Sequence, residues 1–429
     1  MRRPRLPKEN RAAWLAAAAL VVVAIVVVGI AIHDRSKPTG THFVPGAKGF
    51  TASTPTSTTP ATKASMFIWP LYGFNDARTR AYSGPAAFND PGALKVKWHV
   101  GGNAPLEFPP VIDGNALFFL DDNATLNKVN ATTGVRYWRK RIGMLSSATP
   151  TLDVKLGLLF VPILSDTSDV INSVNGSFDA VSMKTGKVVW RDPVPSGTES
   201  SPLVWGNNVY FGDKDGTVYD LNARTGAQIW SFPTGGPEKA GPTLAHGDLY
   251  FGNYAGQLFD VNATSGKQIW EVNLGGALYA SPTLAYGLVY VGSNTSGVEY
   301  ALSQKTGNQV WSLGTGDYVY SSAAADTVHK LGPTVYFGSY TGKVYAVNAG
   351  NGDVDWTENL GDSISGAASI VNNTVFFSGV YHSYTKGYDT TTGKQVFYYP
   401  DGAYTATVAS PRAVYLMGHY TLYELLPKR

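Results

Sequence analysis

Short runs of alternating apolar and polar residues, separated by turns rich in Gly, Asn, Asp and Thr, fill the chain from about residue 95 onwards. Residues 209–212 and 217–221 are two such runs, and Asp215 and Gly216 stand between them. Alternation with a period of two predicts half-buried strands, and Asp-Gly between two such runs predicts a β-hairpin. The pattern therefore predicts an all-β protein built from short antiparallel strands.

One unit of this pattern recurs seven times. Each copy has an apolar strand, then a polar turn that ends in Gly, and then an aromatic residue four positions after that Gly. Asn and Thr hydrogen-bond the turn backbone, and Gly adopts the positive φ that closes the hairpin. The turn glycines are 40 to 52 residues apart, which is the size of a four-stranded propeller blade.

The two ends of the chain supply one further blade. Residues 95–100 form a strand that carries Trp98 and has no blade before it, and three strands are predicted near 405–409, 413–417 and 421–425. Together these four strands complete a blade, and sharing strands between the termini removes an open sheet edge. We therefore predict an all-β, eight-bladed β-propeller.

A different pattern occupies the N-terminus. Residues 12–32 are uncharged, and five basic residues precede them within the first 11. A helix of 21 such residues spans the hydrocarbon core of a bilayer, and the positive-inside rule places the N-terminus in the cytoplasm. We predict a cytoplasmic tail (1–11), a single-pass transmembrane signal anchor (12–32), a flexible Thr/Ser/Pro-rich tether (33–65) and the propeller (66–429). A cleaved signal peptide is the alternative for the apolar segment.

The charge distribution follows this division. The whole chain has a formal charge of +3, but residues 1–65 hold nine Lys or Arg and only two acids. The propeller is left with 25 basic and 29 acidic residues, so it is mildly acidic. Nucleic-acid binding needs clustered positive charge on the folded domain, and we therefore predict no nucleic-acid partner.

The repeat Asn-Ala-x-Thr-Gly-x-x-x-Trp resembles the tryptophan-docking repeat of the pyrroloquinoline-quinone-like (PQQ-like) eight-bladed propellers. Residues 69–74 and 77–79 resemble the lead-in before the first Trp strand of that family. The resemblance covers residues 66–429 and implies that the aromatic residue of each repeat packs between neighbouring blades. The blade-docking residues would be Trp98, Trp138, Trp190, Trp230, Trp270, Trp311, Trp356 and Phe397.

The PQQ-like family contains quinoprotein alcohol dehydrogenases as well as non-enzymatic members, of which a β-barrel-assembly lipoprotein is the familiar case. The resemblance implies that an enzyme would hold its quinone with a vicinal Cys pair, a Glu, calcium and a catalytic Asp. Glu107 stands at the quinone-contacting position, but Ser146 and Ser147 stand where the Cys pair is expected. The chain has no cysteine at all, which also excludes disulfides and c-type haem. We predict a non-enzyme without catalytic residues, metal, PQQ or calcium, with Glu107 as a weak cofactor-binding candidate.

Other catalytic motifs are absent from the sequence. The seven His residues lack zinc-site spacing, and neither a phosphate-binding loop nor a nucleophile elbow occurs. The segments that enter the predicted inner strands carry polar and aromatic residues, and loops on a rigid scaffold often bind partners. These rim candidates are Glu107, Ser146, Glu199, Lys239, Tyr279, Tyr318, Tyr320, Ser363 and Tyr404.

Taken together, these features predict a membrane-anchored, extracytoplasmic propeller of a bacterial cell envelope. We expect a non-catalytic binding or assembly module for an envelope protein, attached to the membrane through residues 12–32. Two alternatives stay open at this point: a quinone- or calcium-dependent alcohol or sugar dehydrogenase, and a cell-wall or glycan-binding protein that uses the rim aromatics.

Overall fold

The computed structural model describes residues 67–166, 175–326, 331–402, 404 and 407–427. Within them the strands form eight sheets, which confirms the predicted all-β, eight-bladed propeller. The predicted anchor (12–32) and the tether lie outside the described residues. No helix in the described part of the chain is long and apolar enough to cross a bilayer.

The chain enters the propeller through a lead-in segment, residues 67–82. Two short strands, Ile68–Trp69 (β1) and Ala81–Tyr82 (β2), bound this segment. Two 3-10 helices follow at Ala86–Phe88 and Pro91–Ala93, and then the first long strand, Leu94–Gly101 (β3).

Blades 1 to 4 each have four antiparallel strands, counted from the innermost to the outermost. Their bounds are Val111–Asp113 (β4), Ala116–Asp121 (β5), Thr125–Asn130 (β6), Arg136–Arg141 (β7), Thr151–Asp153 (β8), Leu158–Ile163 (β9), Gly176–Ser182 (β10), Val188–Val194 (β11), Leu203–Trp205 (β12), Asn208–Gly212 (β13), Thr217–Asn222 (β14), Gln228–Pro233 (β15), Thr243–Ala245 (β16), Asp248–Gly252 (β17), Gln257–Asn262 (β18) and Gln268–Asn273 (β19). β1 adds to the inner side of blade 1 by pairing with β4.

Blades 5 to 7 repeat this order, and blade 8 combines both ends of the chain. The remaining strands are Thr283–Ala285 (β20), Leu288–Ser293 (β21), Val298–Ser303 (β22), Gln309–Gly314 (β23), Ala324–Asp326 (β24), Thr334–Gly338 (β25), Lys343–Asn348 (β26), Val354–Asn359 (β27), Ser369–Val371 (β28), Thr374–Ser378 (β29), Thr385–Asp389 (β30), Gln395–Tyr399 (β31), Thr407–Ala409 (β32), Val414–Met417 (β33) and Thr421–Pro427 (β34). In blade 8 the sheet order is β3-β34-β33-β32, so the strand that carries Trp98 is its outer strand.

Burial differs between the middle and the outer strands. All six residues of β9 are buried, whereas β15 alternates between exposed and half-buried residues. The middle strands are covered on both faces by neighbouring blades, so both sets of alternating side chains enter a core. The alternating sequence pattern therefore marks the outer strands best, as expected for strands with one solvated side.

The turn of each repeat has the geometry that its Gly predicts. In blade 3, Asn222 Oδ1 accepts hydrogen bonds from the backbone N–H groups of Arg224 and Thr225, both at 3.1 Å. Gly226 then adopts a φ of +77°, and the β14–β15 pairing shifts register next to the turn. The resulting bulge directs the Trp of the outer strand towards the next blade.

The aromatic residue of each repeat joins one blade to the next. Trp230 donates from Nε1 to the carbonyl of Ala263 at 3.0 Å, and its ring lies against Gly266 of the blade 4 turn. The same bond, at 2.8 to 3.3 Å, is made by five other indoles: Trp98, Trp190, Trp270, Trp311 and Trp356. A flat ring with one N–H suits a turn that presents both a bare Cα and a carbonyl.

Two copies of the repeat depart from this rule. Trp138 packs on Gly186, but its Nε1 has no hydrogen-bond acceptor; Lys128 donates to the neighbouring carbonyl of Met183 at 3.0 Å. Phe397 has no such turn to pack on, because the two outer strands of blade 8 come from opposite ends of the chain. A ring without an N–H is therefore sufficient there. A cleft of about 360 Å³ lies at this place in the ring.

Substitution of the turn glycines tests this docking. A Cβ on Gly226 would lie 2.9 Å from the Trp190 ring, whereas a Cβ on Gly206 would have no neighbour within 4 Å. Both residues have positive φ, so Ala at either site costs about 1 kcal/mol of strain. We expect Gly226→Ala to lower the free energy of unfolding by about 1–3 kcal/mol more than Gly206→Ala, because it also displaces the indole. Urea unfolding measures this difference, and equal losses would contradict the docking account.

Candidate functional site

The lead-in segment forms a floor across the central channel. Its backbone carbonyls accept hydrogen bonds from the inner strands of successive blades: Pro70 from Leu152, Asp76 from Leu244, Ala77 from Leu284, Thr79 from Ala325 and Arg80 from Ile370, all at 2.8 or 2.9 Å. The sequence indicated only a lead-in before the first Trp strand. Its role as a floor was missed because each partner lies far along the chain.

Two arginines extend from this floor into the channel and are buried. The Arg78 guanidinium donates to the carbonyls of Tyr72 at 2.6 Å, Ser201 at 2.7 Å and Pro242 at 3.0 Å. Arg80 donates to the Thr283 hydroxyl at 2.7 Å. Burial, together with the charge of Arg80, lowers the pKa of Arg78 to about 9. These bonds close the channel at the end opposite its mouth.

Two buried glutamates interact electrostatically with these arginines. Glu238 packs on Gly212 at a position that Leu278 occupies in the next blade, where it packs on Gly252. Burial raises the pKa of Glu238 and of Glu299 well above the ordinary value, while the charges of Arg78 and Arg80 respectively oppose this rise. Blade 4 thus carries an acid, Glu238, where blade 5 carries Leu278.

At the opposite end, two rings of side chains surround the mouth of the channel. Each member of the first ring stands four residues before an inner strand: Glu107, Ser147, Glu199, Lys239, Tyr279 and Tyr320. Each member of the second ring stands in the turn after the second strand of a blade: Asp122, Lys214, Tyr254, Asn294 and Tyr340. We call these two rings the funnel.

The backbone fixes the two rings against each other. In every one of these blades, the amide of the second-ring residue donates to the carbonyl two residues before the first-ring residue, as Tyr254 does to Pro237 at 2.9 Å. The equivalent donors are Asp122, Lys214, Asn294 and Tyr340, at 2.8 to 3.2 Å. The same backbone contact therefore presents a different side chain in each blade.

One side of the funnel carries charge. Lys239 Nζ lies 2.6 Å from Glu199 Oε2, and their side chains are 36% and 16% exposed. Burial would lower the pKa of Lys239, but the Glu199 carboxylate raises it above the ordinary value. Burial likewise opposes ionisation of Glu199, yet Lys239 holds the pKa of Glu199 below its ordinary value. Both groups are therefore charged at neutral pH.

Two further carboxyl groups lie beside this ion pair. The Ser147 hydroxyl donates to Glu107 Oε2 at 3.2 Å, and burial raises the pKa of Glu107 despite the nearby charge of Lys239. Burial, with the charges of Glu107 and Asp121, raises the pKa of Asp122 to about 9. A like charge within reach disfavours the second ionisation, so this pair holds a proton at neutral pH.

Tyrosines form the other side of the funnel. Tyr279 stacks on Tyr320 with centroids 5.0 Å apart and an interplanar angle of 9°, and Tyr254 meets Tyr279 edge-on at 4.2 Å. Tyr340 contacts both Tyr320 at 5.0 Å and Tyr318 at 5.8 Å. Asn294 Nδ2 donates to the Tyr320 hydroxyl at 3.1 Å. Burial raises the pKa of Tyr340 to about 12, so this wall is neutral.

The structure brings most of the rim candidates together. Glu107, Glu199, Lys239, Tyr279 and Tyr320 belong to the first ring, and Tyr318 packs against it. Glu107 and Tyr340 interact electrostatically with Tyr404, whose pKa is raised mainly by burial, and Ser363 Oγ donates to the Tyr340 carbonyl at 2.9 Å.

Ser146 is placed differently. It is buried, and its hydroxyl donates to the Pro162 carbonyl at 2.7 Å. The next residue, Ser147, takes its place in the funnel, where its hydroxyl donates to Glu107.

Sequence reasoning missed the second ring, including Asp122, Tyr254 and Tyr340. The sequence does contain a signal for this ring, which is the position of its residues after the second strand of each blade. In blades 3, 4 and 6 a polar residue follows the Gly that ends the second strand, and the next residue, Lys214, Tyr254 or Tyr340, is the one that enters the funnel.

Comparison with known proteins now identifies the family. The family model described as outer membrane protein assembly factor BamB matches residues 90–214, 160–241 and 214–423. The chain belongs to this family. No curated protein sequence matches the chain.

Solved structures agree with the BamB-family fold. BamB from Moraxella catarrhalis superposes with a TM-score of 0.62 and 15% identity, covering 78% of this chain and 99% of that one. Quinohaemoprotein alcohol dehydrogenase from Comamonas testosteroni gives 0.67 and 13%, covering 85% and 82%. A europium-containing methanol dehydrogenase gives 0.67 and 12%, covering 84% and 98%. At these identities the similarity shows the propeller fold, which enzymes and assembly factors share.

The funnel residues of this BamB-family chain do not fit a calcium–quinone pair. PQQ carries three carboxylates, but the cation Lys239 is already paired with Glu199, and Glu107 and Asp122 add further acidic groups. Within the described residues, no group of three or more His, Cys, Asp or Glu has the geometry to hold a metal ion. The position of Glu107 alone therefore does not support quinone binding.

The raised pKa of Asp122 predicts a pH-dependent stability. Since the carboxyl group has a pKa of about 9 when folded against 3.8 when exposed, the folded chain binds the extra proton between these values. Stability must then fall as the pH rises through this window. We expect Asp122→Asn to be more stable than the wild type at pH 8 and equally stable near pH 4, in urea unfolding. Asp215→Asn, in an exposed turn, should change neither value; an identical response of both variants would refute the assignment.

The buried charges predict a rescue. Arg78→Met leaves three carbonyls without their donor and leaves Glu238 without a facing cation, so we expect a loss of about 3 kcal/mol or more. Adding Glu238→Leu restores the residue type found at Leu278 and should recover at least about 1 kcal/mol. Unfolding free energies of both single variants and the double variant measure this coupling. Strict additivity of the two substitutions would show that the charges do not interact.

Proposed function

We propose that this protein is a non-catalytic binding or assembly module that captures an envelope protein in its funnel. The observation that carries the proposal is the pairing of a neutral tyrosine wall with a charged wall on one rigid mouth. Tyr residues offer large contact area with little loss of conformational entropy, and they are enriched in protein interfaces. The ion pair and the acids beside it add orientation to this apolar contact.

The rigidity of the mouth supports a recognition role. All five second-ring residues are held by the same backbone hydrogen bond, and the rings stand on blades whose middle strands are buried. A preformed surface loses little entropy when a partner binds. Membership of the BamB family, whose model is described as an assembly factor, agrees with this role.

Residues 12–32 complete the proposal as a membrane anchor. Their uncharged length and the basic residues before them favour a single membrane span with the propeller outside the cytoplasm. The tether would then hold the funnel near envelope proteins. The bacterial envelope is the location that these features favour.

Loss of the tyrosine wall tests this function. We expect Tyr279→Ala/Tyr320→Ala to reduce recovery of one specific partner about tenfold, because aromatic anchors at the centre of an interface contribute most of its binding energy. The measurement is quantitative mass spectrometry after crosslinking the full-length protein in its native membranes.

The matched control is Tyr137→Ala/Tyr398→Ala, which removes two tyrosines that are 53% and 54% exposed on the outer strands β7 and β31, away from the funnel. This control should recover the partner at the wild-type level. Equal recovery with the funnel variant and the control would contradict the proposal. Turnover of alcohols or sugars with added PQQ and Ca²⁺ would favour a dehydrogenase instead, and saturable binding on a glycan array would favour a glycan-binding protein.

A further inference from the structure

Basic residues are concentrated in one part of the propeller perimeter. The outer strands of blades 8 and 1, β3 and β7, are neighbours in the ring, and the Arg136 guanidinium donates to the Gly101 carbonyl at 2.8 Å across them. They contain no acid and carry six cations: Lys95, Lys97, Arg136, Arg139, Lys140 and Arg141. We call this surface the basic sector.

The other outer strands have a different charge. The outer strands of blades 3 to 7 contain no Lys or Arg, and their only charged residues are Glu271, Asp355 and Glu358. In blade 2 the single cation, Arg191, is paired with Asp179 at 2.6 Å. The propeller as a whole is acidic, so its charge is strongly polarised around the ring.

The cations of the basic sector are mostly exposed, and none has an ion-pair partner in the described part of the chain. Arg139 is half-buried and the other five residues are exposed. Within the residues that the structure describes, none of the six lies within ion-pair distance of a carboxylate. Six like charges on neighbouring strands repel one another, which is a cost that an anionic surface would relieve.

Exposed apolar residues do not distinguish this sector. Tyr137 is 53% exposed on β7, but Ile229 and Ile269 occupy the same position in blades 3 and 4 and are 48% and 50% exposed. An exposed apolar residue before the docking Trp is therefore a feature of the repeat. Charge is what sets blades 8 and 1 apart.

We propose that the basic sector docks on the anionic lipid surface of the membrane to which the protein is anchored. This inference rests on the anchor of the proposed function. The chain enters the propeller at β1, which pairs with the inner strand of blade 1, while the basic sector lies on the outer strand of that blade and on its neighbour β3. A tether of about 30 residues reaches roughly 30 Å, which is long enough for the propeller perimeter to contact the bilayer.

Charge complementarity selects the lipid surface as the occupant. Clusters of Lys and Arg held near an anionic leaflet are attracted to its surface potential, and this attraction decays within a Debye length. When the outer strands contact the membrane, the lipid does not cover the mouth of the central channel. The funnel would therefore stay accessible to a partner while the propeller lies on the membrane.

A single-site label tests the docking directly. The chain has no cysteine, so one Cys can be placed at Tyr137 in the basic sector or at Asp355, the equivalent position on the outer strand of blade 6. The full-length protein is reconstituted in vesicles of phosphatidylcholine, alone or mixed with phosphatidylglycerol at about 3:1. The measurement is quenching of a membrane-impermeant dye on each Cys by a headgroup-labelled lipid.

We expect quenching at position 137 to exceed that at position 355 about threefold in the anionic vesicles, and to fall to the same level at about 0.5 M salt or in neutral vesicles. Arg139→Gln/Lys140→Gln/Arg141→Gln should abolish the excess. The matched control Lys267→Gln/Lys305→Gln/Lys394→Gln removes the same charge from exposed turns of blades 4, 5 and 7 and should retain it.

Equal quenching at the two positions in anionic vesicles would overturn the inference, as would an excess that persists in neutral vesicles or in the Arg139→Gln/Lys140→Gln/Arg141→Gln variant. Two further readouts separate this outcome from failure of the proposed function. If the protein dissociates from the vesicles at alkaline pH, residues 12–32 do not span the membrane, and the proposed function and the docking both lose their anchor. Normal partner recovery by the wild type, together with equal quenching at positions 137 and 355 in anionic vesicles, would remove the docking alone.

Discussion

The contact between an indole and a bare glycine turn is the interaction on which the rest of this structure depends. The Trp190 ring lies where a Cβ on Gly226 would be, and its N–H reaches the Ala223 carbonyl at 3.2 Å. Each such contact fixes one blade against the next, because apolar cores alone would allow the sheets to slide. The exceptions have local causes: Phe397 faces the only junction at which the next blade is assembled from two chain ends.

In a propeller whose blades are fixed in this way, the backbone contacts stay constant while the side chains at the funnel vary from blade to blade. The backbone hydrogen bond between the two funnel rings is the same in five blades, whereas the side chains it presents range from Asp122 to Tyr340. The lead-in segment acts at the other end of the channel, where Arg78 and Arg80 close the floor. The result is a funnel that is closed at its floor and has one charged side and one aromatic side.

The fold was largely predictable from the sequence, but the funnel was only partly so. The spacing between Gly134 and Trp138, repeated seven times along the chain, predicted seven blades, and the Trp98 strand with the three C-terminal strands predicted the eighth. Local turn chemistry determines each of these hairpins. First-ring residues such as Glu199 and Lys239 were also predictable from their place before an inner strand. Ser147 was missed by one residue, because the hydroxyl of Ser146 donates to the Pro162 carbonyl inside the blade and leaves its neighbour to face the mouth. Tyr254 and the Arg78 floor depend on contacts between segments far apart in the chain, which no local pattern encodes.

The central claim is that the funnel holds a protein partner, and site-specific photo-crosslinking in living cells tests it most directly. A photoreactive amino acid at position 320 would stand in the tyrosine wall, and the same amino acid at position 398 would stand on the outer strand of blade 7. The account predicts one discrete adduct from position 320 and none from position 398. The same adducts from both positions, or no adduct from position 320, would contradict it.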